Sequence, residues 1–446
     1  EEEFAEALKL DPKDERALVG NGELFYEGGR YSEALARFEA ASRVNPKNLF
    51  AAIGRAKTKI KLERAKEAKA ELDALAKSMA QDKTHPLVHF WMGQALEAQG
   101  DREEAEKVYR KAVEESGENP DVVRAYVALS SLLGARGESD MAAEILEDAT
   151  DKLPKSVELH HAKGDIAVKA GRYEKAQQEY LSALELEPGN SSSRFRLAVA
   201  YRLDKDFADA KSELDKVEKA DPEYPGLMLE RGLIYEDSGE IDKATEMYKA
   251  ALDKAPDDTD LKLRVGSTLV ISGHPKQALP LLKEVQGKRP QSAEVNHFVG
   301  RAMLLNGDPP KQALRFLELA AQRDPNKAVY QLYVAWAANE VGEGGLAAEA
   351  IDRALALDKN MAEIYWQRGV LKQRVQQQTA DAIEDLERAL ALNPNLYRAH
   401  ATLARSYMDQ GSGSLSTAED HWRRAIAGND QIAEWRYQLG KMLADR

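Results

Sequence analysis

Four short stretches of this chain carry side chains of the types and spacings that could do chemistry. His160 and His161 stand side by side. A metal or a general base would suit imidazoles, but neighbours on a helix point about 100° apart and rarely share one ion. They read as ordinary helix histidines. Gly20–Asn21–Gly22 offers part of a dinucleotide-binding loop, but no strand precedes it and the third glycine is missing. Asn190–Ser191–Ser192 fits the N-glycosylation pattern and reads better as a helix N-cap. The paired carboxylates Glu103 and Glu104 are solvated acids at a helix start, where the dipole favours them. No HExxH, P-loop or GxSxG motif is present. With no cysteine in the chain, disulfides, thiolate zinc sites, iron–sulfur clusters and cysteine nucleophiles are excluded. The expectation is no catalytic residue, no metal ligand and no cofactor: not an enzyme.

Composition is normal for a soluble, helix-rich protein. Charged residues make up 31% of the 446 and hydrophobic ones 43%, with a net charge of −13. That sign argues against a nucleic-acid partner. No apolar run approaches the ~18 residues of a spanning helix, so direct membrane insertion is not expected. A cysteine-free chain suits a bacterial periplasm and a cytoplasm equally, which leaves the compartment open.

What must position any functional residue is a repeat. Alanines recur at Ala34, Ala68, Ala105, Ala142, Ala176, Ala210, Ala244, Ala278, Ala313, Ala347, Ala382 and Ala418, with gaps of 34 to 37 residues. About twelve residues before each lies a small residue: Gly22, Ala56, Gly93, Ser130, Gly164, Ala198, Gly232, Gly266, Gly300, Ala335, Gly369 and Ala404, and Gly440 extends the series. Four residues after each anchor lies a large one, such as Phe38, Tyr109, Tyr180, Tyr248 or Trp422. Spacings of three and four put Ala176, Tyr180 and Ala183 on one helix face. Glycines such as Gly29, Gly100, Gly137, Gly171, Gly239 and Gly273 supply a left-handed turn between two helices, and prolines such as Pro46, Pro120 and Pro188 close most units. The small residue is expected to meet the anchor alanine, with the large residue filling the space beside them.

This pattern resembles the tetratricopeptide repeat, with its 34-residue period and its small, alanine, aromatic and proline positions. The resemblance covers the whole chain. It implies an all-α, right-handed α-solenoid of helix–turn–helix units. The expected division is a half repeat at 1–14, repeats starting near 15, 49, 86, 123, 157, 191, 225, 259, 293, 328, 362 and 397, and a terminal helix at 433–446. The longer repeats carry their extra length around Ala76–Pro86 and Glu114–Pro120. A start in mid-repeat is expected of a piece of a longer protein.

The resemblance also implies a concave groove lined by first helices, in which a peptide or helix of a partner protein binds. With the small residue as position eight, positions two, five, nine and twelve point into that groove. The chaperone-binding members of the family need lysine at five and asparagine at nine, followed by further Asn, Lys and Arg in the next two units. No such set stands here, so Hsp70 or Hsp90 tails are not expected through that clamp. The densest aromatic run is Phe298, Tyr333, Trp336 and Trp366, flanked by Arg301 and Arg374. Tryptophan, tyrosine and arginine dominate binding hot spots. Secondary candidates are Phe90 with Trp91, and a basic–aromatic cluster of Arg194, Phe195, Arg196 and Arg202.

The functional expectation is a non-catalytic protein-interaction scaffold, placed in a bacterial envelope, motility, pilus or secretion assembly. One alternative is the interaction module of a larger enzyme whose catalytic domain lies outside this chain. The other is an array serving polysaccharide export, for which Trp336 beside Asn339 and Glu340 is the available sugar-binding hint.

Overall fold

A computed structural model describes residues 2–79, 84–114, 122–430 and 432–445. Pro120, and much of the two inter-repeat stretches expected to carry extra length, lie outside the described residues. Among those described there are 26 α-helices and no strand. They form an all-α repeat solenoid. Two compact units divide the chain, Glu1–Leu227 and Met228–Arg446.

Each repeat is built the same way for local reasons. In many repeats the first helix begins at a capping side chain: Asn48 accepts from the Ala51 amide, Asn190 from Ser193, and Asp258 from Asp260 and Leu261, whereas Lys327, Met361 and Leu396 make no such bond. These bonds satisfy amides that no helical carbonyl can reach. The turn to the second helix needs a left-handed residue. Gly171 takes φ +70°, and the Arg172 amide then bonds back to the Ala167 carbonyl at 2.8 Å. Where no glycine stands at this turn, Glu63, Lys205 and Gln377 take φ of 61°, 69° and 56° instead. L side chains adopt that region at a cost.

All twelve anchor alanines have zero exposure, and the large residues four places on are at most 2% exposed. The closest approach differs in one respect from the sequence expectation. A Cβ on Gly164 would sit 2.3 Å from the Tyr180 ring, one on Gly93 2.3 Å from Tyr109, and one on Gly266 2.6 Å from Leu282. The small residue therefore makes room for the large residue itself; the anchor alanine lets the two backbones close on that contact. The tyrosines then reach past the glycine to a carboxylate: the Tyr180 hydroxyl donates to Asp165 at 2.7 Å and Tyr109 to Glu97 at 2.5 Å. Burial first, then the facing carboxylate, raises both phenols well above their ordinary range.

Candidate functional site

In the C-terminal unit the first helices Ala293–Asn306, Ala328–Val341, Ala362–Arg374 and Tyr397–Asp409 bring most of the expected aromatic run together. The rings form a ladder. His297 contacts Phe298 at 5.1 Å and Tyr333 at 5.0 Å between centroids. Tyr333 contacts Trp336 at 5.5 Å, and Trp336 meets Trp366 edge-on at 5.3 Å. The Trp366 indole N–H donates to the Thr402 hydroxyl at 3.0 Å. Tyr333, Trp336 and Trp366 are only 9%, 8% and 6% exposed. Nearly all of each ring is therefore spent on packing between successive repeats.

Cations sit on the ladder. The Arg301 guanidinium lies 5.1 Å from the Tyr333 ring centre and Arg398 lies 4.9 Å from that of Trp336. Both are cation–π distances. Among the described residues neither has a carboxylate within ion-pair reach, nor does the exposed Arg405, and the Arg301 Nε is buried with no hydrogen-bond acceptor. Arg374 is different. It is paired with Glu340 at 3.0 Å, and both border a 110 Å³ recess beside Trp366, Arg398 and Arg405. Burial among the rings, with Arg301 and then Lys327 nearby, pushes the His297 pKa down to about 3. The ladder is thus held by a neutral imidazole.

His297, Arg398 and Thr402 were not among the expected site residues. Arg398 stands at position two of its repeat, a position the resemblance directs inward, so its spacing was the available signal. Asn339 is turned away from any sugar-binding role beside Trp336: it is 5% exposed and donates its amide to the Gln367 carbonyl at 3.0 Å and to its side-chain oxygen at 2.9 Å.

The secondary candidates lie in the N-terminal unit. Phe90 is buried and packs edge-on against Trp91 at 5.0 Å. Trp91 borders a 400 Å³ recess with Phe50, Ile53, Lys57 and Arg124. In the basic–aromatic cluster the arginines are already engaged. Arg194 donates to Glu213 at 3.0 Å and to the Pro188 carbonyl at 2.7 Å, and Arg196 is clamped on Asp165. Phe195 packs on Tyr224 at 5.2 Å. Arg202 sits in the last turn of Ser191–Leu203. Arg194 and Arg196 therefore form internal ion pairs in place of an open basic patch.

A titratable pair stands apart from both clusters. His400 and His421, on the first and second helices of the last full repeat, bring their Nδ1 atoms to 2.9 Å. The His400 Nε2–H donates to the Pro394 carbonyl at 3.0 Å. Neutral His400 must therefore accept at Nδ1, and His421 must donate. The adjacent pair His160 and His161 separates as expected of neighbours on a helix: His160 contacts Glu179 and His161 contacts Ser193.

Tetratricopeptide-repeat family models match residues 25–83, 86–129, 161–225 and 201–266. The chain belongs to the tetratricopeptide-repeat superfamily. Such arrays are scaffolds suited to protein interactions. Among curated proteins it is similar to Hsp70-Hsp90 organizing protein 1 of Glycine max, at 21% identity over 58% of this chain and 39% of that protein. It is similar to protein O-mannosyl-transferase TMTC3 of Homo sapiens, at 23% over 56% of this chain and 25% of that protein. It is also similar to cellulose synthase operon protein C of Xanthomonas axonopodis pv. citri (strain 306), at 27% over 57% and 17%. The chain thus spans between 17% and 39% of the length of these relatives. Among solved structures, the anaphase-promoting-complex hetero-tetramer Cut9–Hcn1 shares the fold, with a TM-score of 0.51 at 16% identity over 99% of this chain and 92% of that one.

Proposed function

We propose that the chain is a non-catalytic scaffold whose first-helix face in the C-terminal unit binds a segment of a partner protein. The observation that carries this is the aromatic ladder from His297 to Trp366 with Arg301 and Arg398 lying on it, neither having a carboxylate partner among the described residues. A guanidinium drawn onto rings and left unpaired retains its full capacity for a carboxylate or carbonyl of a partner. The rings, buried between repeats, hold the two guanidinium groups in place. The setting we favour is an envelope, motility, pilus or secretion assembly of a bacterium. The absence of the lysine and asparagine set of the chaperone clamp argues against chaperone tails, even though one relative is named for organising Hsp70 and Hsp90.

Truncating the tryptophans is a poor test, because a buried Trp→Ala change costs about 3–5 kcal/mol by leaving a cavity. The variant Arg398→Glu/Arg405→Glu removes the unpaired charge from the half-buried and exposed rim and leaves the ladder standing. Binding of partners recovered with wild-type chain is expected to fall about tenfold or more, with helicity unchanged and only a small fall in melting from the lost cation–π contacts with Trp336 and Trp422. Unchanged affinity would reject the reading.

A second reading has one supporting observation: two relatives, at 25% and 27% identity, are cellulose synthase operon protein C. Under it the array serves a polysaccharide-export machine. Titration of soluble cello-oligosaccharides, followed by tryptophan fluorescence, separates direct sugar binding from binding of the machine's proteins.

A further inference from the structure

The residue four places before the small position is polar in many first helices, and it repeatedly does the same work. Arg194, Asn296, Tyr365 and His400 each donate to the carbonyl six residues earlier, at Pro188, Pro290, Lys359 and Pro394. In three repeats the same residue also meets the residue three past the anchor alanine on the second helix: His160 with Glu179, Arg194 with Glu213, His400 with His421. The corresponding residue in the repeat starting near 328 is Gln331. The carbonyl six residues back is Pro325, and the second-helix residue facing it is the buried Ala350. Gln331 is 4% exposed and has no hydrogen-bond partner among the described residues. Its amide is not fully closed off: it lines the cleft described next and is free to bond a ligand there.

Beside it lies a cleft of 1020 Å³ between the second helices Pro310–Arg323 and Gly344–Leu357. That is at the upper end of the volumes that hold ligands. Gln331 and Val334 are among its lining, and Leu319, Leu346 and Leu357 are apolar residues along its walls. Leu357 is 43% exposed. Arg315 is on the rim, with no carboxylate partner among the described residues, whereas Arg353 is held by Glu349 at 3.1 Å.

A glutamine side chain presents one amide donor face and one carbonyl, the complement of a peptide unit. Peptide units inside a helix are already paired with one another; those of an extended segment are free. We propose that this cleft binds an extended segment of a partner protein, with one of its main-chain amides on Gln331, an aliphatic side chain on Leu319, Leu346 and Leu357, and a carboxylate on Arg315. This site is separate from the first-helix face and stands or falls independently of it.

The probe is a displayed library of seven-residue peptides selected on the full chain. Selected peptides are then made synthetically, with blocked ends, and titrated by fluorescence anisotropy. They are expected to share an aliphatic residue near Asp or Glu. They should bind Gln331→Leu and Arg315→Glu about tenfold more weakly and bind Arg398→Glu as well as wild type. Selection of no peptide over a Gln331→Leu control would overturn the proposal. So would equal binding to both cleft variants, or a loss confined to Arg398→Glu. Thermal unfolding gives an independent arm. Gln331→Leu should keep the melting temperature, because no hydrogen bond within the fold is lost; a clear fall would mean the amide is satisfied within the fold and would remove the basis of the site.

Discussion

The two units carry the same residue types in the same frame and use them in opposite ways. In the N-terminal unit, Arg194 and Arg196 flank Phe195, and both guanidinium groups are paired, with Glu213 and with Asp165. In the C-terminal unit, Arg301 and Arg398 lie against Tyr333 and Trp336 without a carboxylate among the described residues. A basic–aromatic sequence is therefore not a binding surface by itself. What separates the two regions is whether the fold already satisfies the charge. Paired arginines hold repeats together; unpaired ones remain open to a partner.

The largest expected effect sharpens this contrast through packing. Trp336→Ala should destabilise the C-terminal unit by about 3–5 kcal/mol, because a ring 8% exposed is wedged between Tyr333 and Trp366. Phe195→Ala, at a half-buried ring, should cost about 1–2 kcal/mol in the N-terminal unit. Urea unfolding of the two variants measures both. Equal costs would mean that the ladder is no more structural than the Phe195 cluster.

The next effect concerns pH. His297, His400 and His421 in the C-terminal unit all have lowered pKa values, first through burial. The charged neighbours of the pair are Asp420 and Arg424 for both histidines, with Glu387 also acting on His421, and Tyr407 stacks over the His421 ring. A histidine with a lowered folded pKa gives stability that is complete above its unfolded value of ~6.5 and is lost as pH falls below it. The loss for His297, with a folded value of about 3, approaches ~1.4 kcal/mol per pH unit. Protonating both partners of the His400–His421 pair would also set two Nδ1–H donors against each other. The N-terminal unit has His161 shifted the same way. Hydrogen exchange between pH 7 and pH 5 should therefore show the C-terminal unit loosening first; equal loosening in both would contradict the assignment.

The smallest effect tests the shared frame. Lys205→Gly in the N-terminal unit and Gln377→Gly in the C-terminal unit each relieve a left-handed backbone, and each should stabilise its unit by about 0.5–1 kcal/mol. A loss of stability at either position would show that its side chain contributes more than its backbone costs.

The frame was legible in the sequence because it rests on local spacing. The anchor alanines, the large residues four places on and the turn glycines all fall where a 34-residue period puts them. The contact between Gly164 and Tyr180 was legible as a closeness of helices, but not in its detail, because which atom fills the space depends on how two helices cross. The candidate site was less legible. Whether an arginine is free depends on residues 19 and 31 positions away, as Glu213 and Asp165 are from Arg194 and Arg196. Trp366 is fixed by Thr402, 36 positions on. Gln331 stands out only when its neighbour Ala350 and the cleft beside it are seen in place.

The most direct test of the central claim compares the two arginine sets in one binding titration. Partners recovered with wild-type chain are titrated against Arg398→Glu/Arg405→Glu and against Arg194→Gln/Arg196→Gln, with unfolding followed in parallel. The first variant is expected to lose about tenfold or more in affinity with at most a small loss of stability from its cation–π contacts, while the second keeps its affinity and loses stability. Retained affinity in the first variant, or the loss of affinity in the second, would contradict it.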